Sequence, residues 1–226
     1  MRHNIQNCFG RAYVGGTSGH WPERSRVAFV SRILVLQSRV LNNLLMPLEI
    51  EKKYRLTARQ RQEIVARLPE IGAKLDRTDF EVNTLYAGDS IDPYRAVLRL
   101  RRVGPRAILT FKERLPSSSS IKHQLEDETA VGDPDAMDAI LESLGFNPTV
   151  IYEKRRERWQ LGETEIVLDE LPFGLFMEIE GEENSINDIE QKLAIKRLKA
   201  EVETYPNLTR QHGTNVGGVI EARFKD

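Results

Sequence analysis

Six short segments of the chain carry charges on alternate residues. They are Glu49-Ile-Glu51-Lys-Lys53, Leu98-Arg99-Leu-Arg101, Thr110-Phe-Lys112, Leu125-Glu126-Asp-Glu128, Lys154-Arg-Arg156 and Met177-Glu178-Ile-Glu180. Residues i and i+2 of a β-strand share a face, so each segment sets its charges on one side. In the first, second, third and last of them, apolar residues sit wholly or mostly on the other side. A half-buried sheet normally turns its apolar face to the core and its polar residues to water. Within a segment like signs recur, Glu with Glu and Arg with Arg, which is costly unless an outside partner neutralises them. Two carboxylates about 4 Å apart repel by roughly 4 kcal/mol at an effective dielectric near 20. Strands of this kind, joined in a sheet that curves on itself, enclose a charged cavity and turn an apolar surface outward. Such a cavity suits a multivalent anion held with a divalent metal.

The 226 residues allow one large domain or two small ones, and 40% apolar content supports a core. A formal net charge of −1 favours neither nucleic acid nor membrane as partner. Arg32 and Arg39 interrupt the longest apolar stretch, so none spans a bilayer. A single cysteine, Cys8, allows no internal disulfide and fits a reducing, cytoplasmic setting. Residues 1–45 are basic, with Glu23 their one acid, and read as a disordered leader or an over-extended start rather than a transit peptide.

Beyond the leader, the punctuation predicts a strand over 47–56 and a helix opened by the capping box Thr57-Ala-Arg-Gln60 and closed at Gly72. Strands follow at 80–87, 96–103, 106–114 and 121–131, with a mobile polar loop at Ser117–Ser120. Asp133-Pro134 opens a second helix over 134–144, lined by Met137, Ile140, Leu141 and Leu144. Strands at 149–160, 163–169 and 175–181 precede a third helix over 185–203, capped by Ser185. Residues 204–226 read as mixed and frayed. The expected domains are thus 46–205, with 206–226 as a tail. The fold class is α+β: an antiparallel eight-stranded β-tunnel, a closed or nearly closed barrel with a polar charged interior and flanking helices.

All-oxygen carboxylate sites suit Mg²⁺ or Mn²⁺, Arg forks bind phosphate oxygens in pairs, and Lys acts as a point charge. Metal and basic groups around phosphate are what phosphoryl transfer requires. His3, His20, His123 and His212 have no zinc spacing, and His123 falls on the face opposite Glu126 and Glu128. Tyr152 and Trp159 read as packing residues.

Glu49-Ile-Glu51-Lys-Lys53 resembles the ExExK signature of the CYTH superfamily, the triphosphate tunnel metalloenzymes. The basic pairs, Glu126-Asp-Glu128, Asp169-Glu170 and Glu178-Ile-Glu180 follow in the family's order. The resemblance implies a metal site at Glu49, Glu51, Asp169, Glu178 and Glu180, with Mg²⁺ or Mn²⁺ as cofactor. It implies a triphosphate grip by Lys53, Arg99, Arg101, Lys112, Lys154 and Arg156. Lys53, Glu126 and Glu128 become the catalytic candidates, the two glutamates holding a second metal or orienting water. Members resembling this chain act on inorganic triphosphate, thiamine triphosphate or ATP. The implied activity is hydrolysis of a small triphosphate. The rivals are class IV adenylate cyclase and a non-catalytic polyphosphate- or nucleotide-binding module. The stretch Tyr86–Ala96 departs from the cyclase branch, which counts against adenine recognition. A homodimer is compatible with all of this.

Overall fold

The computed structural model describes residues 48–115 and 121–225. The leader and the Ser117–Ser120 loop lie outside the described residues. Eight strands form the barrel: β1 (Leu48–Leu56), β2 (Lys74–Ala87), β3 (Ala96–Val103), β4 (Arg106–Arg114), β5 (Lys122–Val131), β6 (Asn147–Leu161), β7 (Thr164–Leu171) and β8 (Gly174–Glu180). Their order is β2-β3-β4-β5-β1-β8-β7-β6, and β2 pairs with β6 from Lys74↔Gln160 to Ala87↔Asn147. That pairing closes the barrel, and every contact between these eight strands is antiparallel.

Helix α1 (Ala58–Glu70) begins at Thr57, whose hydroxyl accepts from Gln60 N while the Gln60 side chain reaches back to the Thr57 amide. Ile64 and Leu68 are buried against the outer faces of β1, β7 and β8, where Tyr54, Ile166, Leu168, Met177 and Ile179 lie. Helix α2 (Pro134–Ser143) is capped by Asp133 and covers Leu98, Leu100 and Ala107 with Leu141. Its expected stripe is only partly used, since Ile140 and Leu144 are exposed. The apolar side of each alternating strand therefore faces out, under helices. Each large side chain covered in this way contributes about 1.5–3 kcal/mol relative to exposure.

Three expectations need correction. Strand β2 starts at Lys74, well before residue 80. Its first half carries Lys74, Asp76, Arg77 and Asp79, so it lacks apolar alternation and is held by pairing with the long β6. Helix α3 (Glu183–Lys192) starts after Glu182, so Ser185 is inside it rather than its cap. It ends far short of 203 because Ala194 takes a left-handed φ of 57° and Ile195 N bonds back to Glu190 O. That turn buries both Leu193 and Ile195, which a continuing helix cannot do. The expected fraying from residue 204 onward is not found over 204–225. Helix α4 (Tyr205–His212) is capped by Thr204, and strands β9 (Thr214–Val216) and β10 (Val219–Ala222) follow. Strand β10 lies parallel to β6 through Ile220↔Val150 and Ala222↔Tyr152.

Candidate functional site

The barrel's interior is a cavity of about 310 Å³. Its lining includes Glu49, Glu51, Lys53, Arg99, Arg101, Lys112, Glu126, Glu128, Lys154, Arg156, Glu178 and Glu180. Every site residue expected from the sequence lines it, save Asp169. The parity of each strand does this. Glu49, Glu51 and Lys53 point in while Tyr54 and Leu56 join the apolar layers outside or beyond the lining. His123 meets Glu183 of α3, off the cavity, and Trp159 belongs to the outer core.

Asp169 lies behind the wall, fully buried, with its oxygens engaged. Arg156 Nε donates to its Oδ1 at 2.7 Å, Arg156 Nη2 reaches its Oδ2 at 2.5 Å, and the Tyr205 hydroxyl donates to Oδ2 at 2.8 Å. Arg156 Nη2 also donates to Glu178 Oε2 at 2.7 Å. Burial pushes the Glu178 carboxyl up, but Lys53, Arg156 and Lys154 outweigh it and hold it well below the carboxylate range.

On the opposite wall the two arginines are loosely held, while the lysine is not. Arg99 Nη2 is 3.4 Å from Thr110 Oγ1, 3.7 Å from Glu128 and 4.0 Å from Glu126. Arg101 is 3.8 Å from Glu128 and from Glu81. The Nε atoms of both arginines are buried without a hydrogen-bond partner. Buried donors of that kind cost free energy until something accepts from them. Lys112 Nζ spans Glu49 at 2.5 Å and Glu126 at 2.8 Å.

Sequence reasoning missed five residues that complete the ring. Lys122, Arg158, Glu165 and Tyr205 line the cavity. Glu81, wholly buried behind it, takes Lys154 at 3.1 Å and Arg158 at 3.5 Å. Strand parity carried the signal for four of them. Lys122 is in step with Glu126, Arg158 with Arg156, Glu165 with Asp169, and Glu81 follows the outward Phe80. No strand pattern points to Tyr205, which a helix start delivers.

The carboxylates crowd one another. Burial, then Glu49 against the pull of Lys112, raises Glu180 to about 7. Burial, opposed by Lys112 and aided by Glu49, raises Glu126 to about 8. Burial lowers Lys53 to about 8, Glu178 opposing, and lowers Lys154 to about 8 with Arg156 adding to the effect. Among the described residues no three acidic, histidine or cysteine side chains stand close enough to hold an ion ready-made. The donor set nevertheless fits a hard cation: Glu49, Glu51, Glu126, Glu178 and Glu180 are all-oxygen, share one lumen, and burial aided by crowding makes two of them keep protons near neutrality.

A closed antiparallel barrel with acids and bases ringing its lumen defines a charged β-tunnel protein. The CYTH domain model matches residues 47–207, and the chain belongs to that family. No curated protein matches the chain. Among solved structures, a protein of Pyrococcus horikoshii OT3 is 25% identical with a TM-score of 0.63, over 71% of this chain and 98% of that one. A putative adenylate cyclase from Vibrio parahaemolyticus is 20% identical with a TM-score of 0.55, over 71% and 97%. A putative adenylyl cyclase from Hippeastrum, described as having a dominant triphosphatase activity, is 20% identical with a TM-score of 0.57, over 72% and 95%. Among the described residues no helix is long and apolar enough to cross a membrane.

Proposed function

We propose that the chain is a divalent-metal-dependent enzyme that hydrolyses a small triphosphate inside its tunnel. The observation that carries this reading is the pair Arg99 and Arg101, whose buried Nε donors face the lumen side of the barrel with no partner of their own. Arg61 and Arg158 also keep a bare buried Nε but hold carboxylates at 2.5 and 2.7 Å, whereas Arg99 and Arg101 have none nearer than 3.7 Å, and a polyphosphate chain supplies acceptors for them. Arg99 and Arg101 grip from β3, Lys112 from β4, Lys154 and Arg156 from β6, and Lys53 from β1. Glu49, Glu51, Glu178 and Glu180 would hold Mg²⁺ or Mn²⁺, with Asp169 fixing Arg156 behind them. The bound ion would neutralise phosphate oxygens and polarise the phosphorus they surround. Glu128 is ionised, because Thr110, Glu126, Arg101 and Arg99 overcome the upward push of burial. It would orient a water and accept its proton, with Glu126 beside it. Catalysis of this kind is mostly positioning and charge stabilisation, which a rigid barrel provides.

Adenylate cyclisation uses the same grip on the phosphates but also needs a base pocket. The aromatic side chains on the lining, Tyr152 and Tyr205, are both buried, and the Tyr205 hydroxyl is taken by Asp169. We therefore favour hydrolysis, by a cytoplasmic protein with a small-molecule partner and without nucleic acid. The test is to incubate the full chain with tripolyphosphate or ATP and Mg²⁺ or Mn²⁺ and separate the products. Orthophosphate release is expected. Cyclic AMP with pyrophosphate would replace the reading with cyclisation, and binding without turnover would replace it with a binding module.

A further inference from the structure

A buried lysine that grips an anion can be positioned by carboxylates, by an aromatic face, or by both. A carboxylate that holds an ammonium also cancels the charge and competes with phosphate for it. An aromatic face holds the cation without doing either, because the attraction comes from the ring quadrupole. At one end of the tunnel the structure provides such a face. The centroid of the Tyr205 ring lies 3.9 Å from Lys53 Nζ and 5.4 Å from Lys154 Nζ. Both lysines are buried, Lys53 with 2% and Lys154 with 1% of its surface exposed. Lys53 also donates to the Glu203 carbonyl at 3.0 Å, one residue before the cap of α4. The ring plane is pinned in turn by Phe176, edge-on at 5.3 Å, and by the hydroxyl bond to Asp169 at 2.8 Å.

We infer that Tyr205 is a positioning residue, whose ring sets the two ammonium groups of Lys53 and Lys154 for an anion alongside the carboxylates they also meet, Glu178 at 3.5 Å from Lys53, and Glu81 at 3.1 Å and Asp169 at 3.6 Å from Lys154. Its hydroxyl steadies Asp169, the partner of Arg156, so one side chain orders three basic groups from two strands. The segment after it is its anchor. Thr209 Oγ1 donates to the Tyr205 carbonyl at 2.7 Å, Leu208 packs in the same apolar cluster, and β10 ties that cluster to β6. Residues 206–222 thus serve the site without lining most of it.

This inference rests on the anion-gripping role proposed above, and the experiment separates the two. Full-length wild type, Tyr205→Phe and Tyr205→Leu are compared for turnover and equilibrium binding of tripolyphosphate with Mg²⁺. Removing a desolvated π-face should raise KM and Kd about tenfold in Tyr205→Leu. Its kcat should change less, and Tyr205→Phe, which keeps the ring, should stay within about threefold of wild type on both constants. A merely structural role would lower the active fraction, so kcat would fall at constant KM, and that result overturns the inference. Equal impairment of both variants would move the effect to the hydroxyl and overturn it too. If Tyr205→Leu does not fold, Tyr205→Met, of similar bulk without a ring, takes its place. Binding without turnover in wild type would defeat the hydrolytic reading while the Kd comparison still decides Tyr205. If wild type does not bind tripolyphosphate at all, pulse acetylation located by mass spectrometry decides it. Labelling of Lys53 and Lys154 relative to Lys112 should rise severalfold in Tyr205→Leu, and an unchanged ratio would overturn the inference.

Discussion

The two walls of the tunnel use the same residue types in opposite ways. On the β6–β8 wall, Arg156 spends its guanidinium on Asp169 and Glu178 at 2.5–2.7 Å, with Asp169 fully buried. On the β3–β5 wall, Arg99 and Arg101 have no carboxylate nearer than 3.7 Å, and each keeps an unpartnered buried Nε. Arg156 is electrically finished, and Arg99 and Arg101 are waiting for an acceptor. Burial and ion pairing alone would not distinguish an arginine that builds the barrel from one that meets the ligand. A bare Nε together with no carboxylate nearer than 3.7 Å does, since Arg158 and Arg61 share the bare Nε but hold carboxylates at 2.7 and 2.5 Å.

The contrast breaks most easily at Arg156. Removing one member of a buried, hydrogen-bonded ion pair strands the other, so Arg156→Ala should lose about 3–5 kcal/mol of unfolding free energy in a urea titration. Arg99→Ala should cost under about 1 kcal/mol in the same titration, since it removes a poorly paired buried cation. Its damage should appear in tripolyphosphate binding instead, as a Kd higher by about tenfold to a hundredfold, the scale of lost hydrogen bonds to a charged group. Equal destabilisation by the two substitutions would show that both walls are structural, and the favoured function would lose its main support.

Most of this architecture is legible in the sequence, because strand parity is binary. A residue in step with Glu49 or Arg99 must share its face, so the closed barrel and nearly the whole lining follow from alternation. What alternation does not reveal is whether an inward carboxylate reaches the lumen or is buried behind its lining. Asp169 has the parity of a metal ligand, yet arginine, lysine and tyrosine groups surround it. Glu81 escaped because its strand opens with charges on both faces, Asp76, Arg77 and Asp79 among them, which hides the alternation that begins at Phe80. Tyr205 escaped for a different reason. Thr204-Tyr205-Pro206 opens a helix that the frayed reading of 204–226 overlooked, and only tertiary packing sets the Tyr205 ring against Lys53 and Lys154.

A smaller effect sharpens the same contrast through pH. Glu126 at about 8 and Glu180 at about 7 keep protons that the unfolded chain releases near the ordinary value of 4.5. Their contribution to stability is complete below pH 4.5 and is lost as pH rises through 7 and 8. Lys53 and Lys154, lowered from 10.5 to about 8 by burial, act in the other direction. Below pH 8 the fold must keep them charged out of water, and it regains that stability between 8 and 10.5. The ligand-free protein should therefore be least stable near pH 8 within the range from 5 to 10, by thermal melting. Divalent metal should fill this valley, because it binds the deprotonated carboxylates and adds its binding energy to folding. Mg²⁺ should accordingly raise Tm by more at pH 8 than at pH 5.5, where protons compete for the same oxygens, and a chelator should reverse the gain. Glu180→Gln should shrink the difference between the two pH values. An equal Mg²⁺ shift at both would place the ion away from these carboxylates and leave the acidic side of the lumen as unfinished as the basic one.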